Sequence, residues 1–180
     1  MREVQPIRDR EKIEEIKTRL KNKNARDWFM FEMGINVGLR ISDLLPLRVC
    51  DVRGKTHISI KEKKTDKNKR FKINGNMQRL IEEYTKYMEE EDYLFPSNKT
   101  DKAIQRVQAY KILNAVGREA GLEEIGTHTL RKTFGYHFYQ RTKDVALLQE
   151  LFNHSAPSVT LKYIGINQDI IDAAIDDFYL

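Results

Sequence analysis

The 180-residue chain contains one cysteine, Cys50, which excludes an internal disulfide and any zinc cluster built on cysteines. The neighbouring Val49 and Val52 suggest a half-buried strand thiol there rather than a reactive one. Long apolar runs are also missing. No stretch approaches the roughly eighteen apolar residues of a membrane span, and the opening MREVQPIRDREKIEEIK has no apolar core of the signal-peptide kind. A cytoplasmic residence with no membrane partner is therefore expected, and the sequons Asn98-Lys99-Thr100 and Asn153-His154-Ser155 carry no glycosylation meaning. Internal repeats, low-complexity tracts and a dividing linker are absent too. One domain over residues 1–180 is the expectation, long enough to bury a core without staples.

With 40% hydrophobic and 33% charged residues, the balance is that of a folding chain rather than a disordered one. The net charge of +5 is unevenly spread. Between Arg53 and Lys72, nine lysines and arginines face two acids, Glu62 and Asp66, a local +7 that leaves the rest at −2. A concentrated basic ribbon points to a polyanion partner, although a solvated lysine-rich hairpin would show the same run.

Hydrophobic periodicity predicts a mainly α, α+β domain. Ile13, Ile16 and Leu20 recur at helical spacing, and a second helix from Ala25 to Val37 stops at Gly38. Ser42 reads as the N-cap of a short helix through Leu44 and Leu45, which places Arg40 in a tight connection. Strand-like alternation over Val49–Val52, His57–Lys63 and Arg70–Ile73 predicts a small three-stranded antiparallel sheet with a basic turn at its tip. Beyond Asn76 the pattern is helical: one stripe of Met77, Leu80, Ile81 and Tyr84, and another of Ile104, Val107, Leu113 and Val116 ending at Gly121. Leu130, Phe134 and Phe138 mark a further helix, followed by Val145–Phe152 and a short helix opened by Pro157.

Three separated strings bring polar residues that suit phosphodiester chemistry: GLRISDLLPL around Arg40, HTLRKTF around His128 and Arg131, and LFNHSAPSVTLKYIGI around His154 and Tyr163. In order and spacing, including the nine-residue step from His154 to Tyr163, the set resembles the catalytic domain of the tyrosine recombinases, the phage-integrase family. The resemblance runs from about Val4 to Ile175 and corresponds to the catalytic half of a typical integrase, without the N-terminal core-binding domain. A chain of that extent is expected to hold DNA weakly and with little sequence selectivity.

The resemblance implies a DNA strand transferase that needs neither metal, ATP nor another cofactor. Tyr163 would attack the scissile phosphorus and form a 3′-phosphotyrosine. Arg40 and Arg131 would fork onto phosphate oxygens, His128 would assist proton transfer or brace the phosphate, and His154 would donate to a phosphate oxygen. The stretch KEKKTDKNKRFKI resembles the family's Lys-Thr hairpin, which assigns the leaving-group acid to Lys64, with Lys63 and Lys67 as neighbours that could take its place. Asp43 matches the acidic position that supports the site from behind. Lys63, Thr65, Lys67, Lys69, Arg70 and Lys132 are expected on double-stranded DNA. His57 and His137 read as structural, and a zinc site from His128, His137 and His154 lacks the i, i+4 pair and acidic partner it would need.

Two departures from the family pattern stand out: Asn153 where glycine is common before the histidine, and Lys132 where histidine is frequent. The segment 167–180 carries Ile170, Ile171, Ala174, Ile175 and Phe178 at near-helical spacing; it either packs on its own domain or docks on a neighbouring subunit. Rival readings are a type IB topoisomerase-like relaxase, which shares the active-site logic, and a non-catalytic DNA-binding or decoy module.

Overall fold

The computed structural model describes residues 4–61, 68–123 and 125–180, with backbone alone for 167–170. Lys63, Lys64, Thr65 and Lys67 lie outside the described residues. The first helix, α1 (Arg10–Lys23), begins where the Asp9 carboxylate accepts from the Glu11 amide, and buries Ile13, Ile16 and Leu20. Asn24 then serves two helices. Its amide donates to the Leu20 carbonyl at 2.8 Å, and its side chain accepts from the amides of Arg26 and Asp27 to start α2 (Ala25–Val37). One residue thus satisfies backbone groups that both helix ends would leave open.

Helix α2 is the central element, with Phe29, Met30, Phe31, Met33 and Val37 all buried. It stops at Gly38, whose φ of 77° is left-handed, a conformation that costs other residues about 1–2 kcal/mol. A β-carbon there would also stand 2.6 Å from the Phe134 ring. Arg40, not Ser42, caps the short α3 (Ile41–Leu44): its carbonyl accepts from the amides of Asp43 and Leu44, both at 2.9 Å. Ser42 falls inside the turn because the extended Arg40 backbone already supplies the entry.

The sheet has two strands rather than three. Strand β1 (His57–Lys61) pairs antiparallel with β2 (Asn68–Lys72), Ile58 opposite Phe71, and these two side chains seat the ribbon on the core. The expected third strand at Val49–Val52 is a 3-10 turn over Val49–Asp51. Val49 and Val52 are both buried, at 0% and 1% exposure. Residues three apart share a face in a three-residue turn, whereas strand alternation would send them to opposite faces. The Val49 and Cys50 amides bond instead to the carbonyls of Asp92 and Glu90. Half-buried in that turn, Cys50 has its thiol pushed above the ordinary value by burial and by the charges of Asp51, Glu91 and Glu90, so it is a poor nucleophile.

Helix α4 (Gly75–Thr85) buries Met77 and Ile81, and α5 (Arg106–Glu119) buries Ala109, Leu113 and Val116. Val107, expected in that stripe, is 63% exposed; it lies two positions from Ala109, about 200° around the helix. Helix α6 (Thr127–Thr142) crosses α2 and carries the main core on one side. Its other side meets a second, smaller core of Leu148, Phe152, Ile164 and Ile166, formed with α7 (Val145–Phe152) and α8 (Pro157–Tyr163). Gly135 permits this approach, since a β-carbon there would lie 2.7 Å from Ile164 and 2.8 Å from Phe152. The last helix, α9 (Asn167–Asp176), leaves Ile171, Ile175 and Phe178 48%, 64% and 67% exposed. Among the described residues, packing of that apolar face on its own domain is not seen.

Candidate active site

Arg131 anchors the site from the first turns of α6. The residue is 4% exposed, and its guanidinium donates from Nη1 to the Gly38 carbonyl at 2.8 Å and from Nη2 to the Phe152 carbonyl at 3.2 Å. Those carbonyls close α2 and α7, the ends of two helices where backbone dipoles are negative and oxygens lack intrahelical partners. The Phe152 ring backs the guanidinium at 4.2 Å. Neutral carbonyls hold a cation in place without cancelling its charge as a carboxylate would, so positive charge is left to act on its surroundings.

Tyr163, the last residue of α8, receives a hydrogen bond from Arg131. Its ring meets Phe152 and His154 edge to face, with centroids 5.6 Å and 5.1 Å away. Burial raises the phenol above its ordinary value, while Arg131, Arg40 and the hydrogen bond pull the other way. Tyr84 shows the contrast. Stacked on Phe29 and donating to the Leu94 carbonyl, it is pushed by burial to about 12, with Arg26 the cation that opposes the rise. Two arginines aimed at Tyr163 make it the more readily ionised of the two.

His154 follows Asn153, which closes α7 in the left-handed region at φ 56°. Asparagine is among the few residues that tolerate this conformation, so the departure from glycine leaves the chain's path into His154 intact. The imidazole Nδ1 lies 2.9 Å from the hydroxyl of Thr160, a fully buried residue of α8. Burial, then Arg131, Arg40 and Lys69, hold this histidine below its ordinary value. His128, at the second position of α6, is lowered as well, first by packing around the ring even though the residue as a whole is exposed, then by Arg106, Lys132, Arg131 and Arg40. In both, the shift favours the neutral imidazole.

Arg40 is exposed at the α2–α3 junction, and among the described residues no side chain or carbonyl bonds to its guanidinium. Its charge bears on Tyr163, His154 and His128 together. Asp43 sits half-buried in the following turn, its amide on the Arg40 carbonyl.

The expected DNA-contacting residues divide. Arg70 is exposed on β2, 3.2 Å from His57 Nδ1, and Lys69 donates to the Glu150 carbonyl of α7 at 3.0 Å. Lys132 does not fit an exposed phosphate-contacting row: it is 5% exposed, with its ammonium 5.1 Å over the Tyr163 ring. Four positions after His128 on α6, it falls on the inward side beneath the tyrosine. His137 is structural, its Nε2 donating to the Ile7 carbonyl at 2.9 Å.

Sequence reasoning passed over Phe152, Thr160 and Arg106. Phe152 looks like any apolar residue at the end of an amphipathic helix, and nothing local reports that Arg131 lies on its ring. Thr160, three residues before Tyr163, could have been noticed as a polar residue on the tyrosine's side of α8. A cavity of about 830 Å³ beside Arg26, residues 97–105, Val107 and Gln108 contains none of these side chains.

Comparisons with known proteins bear on the family and the fold. The chain matches the profile of the Phage integrase family over residues 8–169. It is 57% identical to the probable integrase/recombinase YoeC of Bacillus subtilis (strain 168), over 97% of each chain. Among solved structures, XerA recombinase superposes with a TM-score of 0.76 at 18% identity, over 98% of this chain and 65% of that one. XerH site-specific recombinase bound to its palindromic difH substrate gives 0.72 at 21%, over 98% and 54%. The chain therefore spans nearly all of YoeC but about half to two thirds of the Xer recombinases, and with those it shares a fold. By its profile match and its identity to YoeC, the chain belongs to the phage integrase family of tyrosine recombinases.

Proposed function

We propose that this chain is a site-specific recombinase acting on double-stranded DNA, cleaving and rejoining strands through a 3′-phosphotyrosine intermediate. The convergence of Arg131, His154 and the field of Arg40 on the Tyr163 phenol carries the reading. Ionising a free phenol at pH 7 costs about 4 kcal/mol, and burial adds to that cost here. The proton is therefore removed as attack proceeds. Neutral His128 accepts it, the Tyr163 oxygen bonds to phosphorus, and the 5′-oxygen leaves with a proton. By resemblance that proton comes from Lys64.

Arg40 and Arg131 neutralise the charge that builds on the non-bridging oxygens. If the Thr160 hydroxyl donates to Nδ1 of His154, the ring proton sits on Nε2, ready for a phosphate oxygen. Lys63, Thr65, Lys67 and Arg70 contact the duplex, and Asp43 steadies the Arg40 turn. The solved complex of XerH with its substrate, which has this fold, supports duplex DNA as partner. The open apolar face of α9 supports self-association on DNA through the C-terminal helix. A DNA substrate and the lack, among the described residues, of any helix long and apolar enough to cross a membrane support a cytoplasmic site of action.

Incubating wild type and Tyr163→Phe with nicked suicide duplexes from the parent element tests the proposal. A protein band shifted by bound strand is expected in wild type alone. A shifted band in Tyr163→Phe would place the nucleophile on another residue.

A further inference from the structure

Residues 4–9 precede α1 as an extended strap laid across α6. The Ile7 amide donates to the Thr133 hydroxyl at 2.9 Å, and its carbonyl accepts from His137 Nε2 at 2.9 Å. Ile7 itself is 2% exposed in the main core. Next to this anchored residue, Arg8 runs outward over the Tyr136 ring, its guanidinium 5.6 Å from the centroid, and donates from Nη2 to the Gly165 carbonyl at 2.8 Å.

Gly165 is the turn that ends the tyrosine helix. The Ile166 amide reaches back to the Leu161 carbonyl and the Gly165 amide to the Lys162 carbonyl, both at 3.1 Å, with Gly165 left-handed at φ 73°. This double closure fixes the last turn of a short helix, and Tyr163 is the final residue of that turn. Ile166 is buried just beyond. The strap packs directly on the glycine, where a β-carbon would lie 2.9 Å from Arg8 Nη2 and 3.3 Å from Gln5 Oε1. Tyr163 rests on the smaller hydrophobic cluster, Arg40 is set by elements of the main core, and Arg131 is held between the two clusters by Gly38 and Phe152. Arg8 bridges the two, from a strap rooted in the main core to the end of the tyrosine helix.

We propose that Arg8 is a positioning residue for Tyr163: by tying the Gly165 turn to the strap, it holds the phenol in register with the phosphate-binding groups. The guanidinium is engaged at the back of the turn and acts on the reaction through the tyrosine helix. This rests on the reading of Tyr163 as nucleophile. Anything that displaces the strap, including whatever chain or partner adjoins it, would then reach cleavage through the same link.

The test compares Arg8→Ala, Arg8→Met and Arg8→Lys in the full chain, using single-turnover adduct formation on a suicide duplex, DNA affinity, and the NMR signals of labelled tyrosine rings. A nucleophile displaced by about an ångström slows reaction by roughly tenfold to a hundredfold. That loss is expected in Arg8→Ala and Arg8→Met at unchanged affinity, with partial recovery in Arg8→Lys, which keeps a charged donor. The Tyr163 ring signal, shifted in wild type by Phe152 and His154, should move in the first two variants. Wild-type cleavage rates with an unmoved signal in Arg8→Ala would overturn the proposal. Should wild type form no adduct, the nucleophile reading fails, and the ring signal alone then decides whether Arg8 positions the tyrosine.

Discussion

At the scale of single residues, the site works by holding a cation with neutral groups. Arg131 is gripped by carbonyls at two helix ends and stands on a phenyl ring. Lysine carries the same charge but cannot make the two-pronged contact with both carbonyls while reaching a phosphate. Arg131→Lys should therefore slow adduct formation by about a hundredfold or more, comparable to removing one preorganised donor, while DNA affinity falls far less. Equal losses in rate and affinity would show that Arg131 serves binding alone.

The two histidines set the pH response. Both are lowered in the fold, so the unfolded chain binds protons near pH 6.5 that the folded chain refuses. Their contribution to stability is present above that value and is lost as pH falls through the folded values. Second-order cleavage rates of the free enzyme should fall over the same acid range, as His128 gains a proton and can no longer accept one from Tyr163. A profile that stays flat over the whole acid range in which the chain remains folded would remove His128 from the proton path.

At the scale of elements, glycines decide how closely the reactive helices approach. Gly38→Ala would force a left-handed alanine and drive a β-carbon into Phe134, while shifting the carbonyl that holds Arg131. A loss of about 2 kcal/mol or more in urea unfolding is expected, with a larger fractional loss of cleavage. Wild-type cleavage in a destabilised Gly38→Ala would separate the helix junction from the site.

Helices with strong periodicity could be read directly: Ala25–Val37, Val145–Phe152 and the Pro157 helix have the predicted bounds. Val49–Val52 misled because a four-residue stretch is too short to show its period before burial is known, and the deciding partners, Asp92 and Glu90, lie some forty residues away. The Lys132 side chain also owes its setting to the fold, since α6 buries it over the Tyr163 ring, and its local sequence does not report this. Of the residues named from the recombinase resemblance, Tyr163 lies against both His154 and Arg131, with Arg40 and His128 close enough to share their electrostatic field. The supports they stand on, Phe152 and the Gly38 carbonyl, are set by tertiary packing and leave no local mark.

At the scale of the whole molecule, a main core carries Arg40, a smaller one carries Tyr163, and Arg131 is held between them, with an apolar face of the C-terminal helix open on the outside. Replacing Ile175 and Phe178 together by serine should leave the fold's melting temperature nearly unchanged, because both side chains are exposed. Assembly on DNA carrying two sites, followed by light scattering or gel mobility, should be lost. Unaltered assembly would place the subunit contact elsewhere.

The central claim is that Tyr163 carries the strand, and mapping the adduct addresses it most directly. Trypsin cuts after Lys162 and releases Tyr163–Leu180 as one peptide with two tyrosines, Tyr163 and Tyr179. After nuclease digestion of trapped complexes, fragmentation of this peptide by mass spectrometry should find the residual phosphonucleotide on Tyr163. Finding it on Tyr179, or on any other residue, would contradict the account.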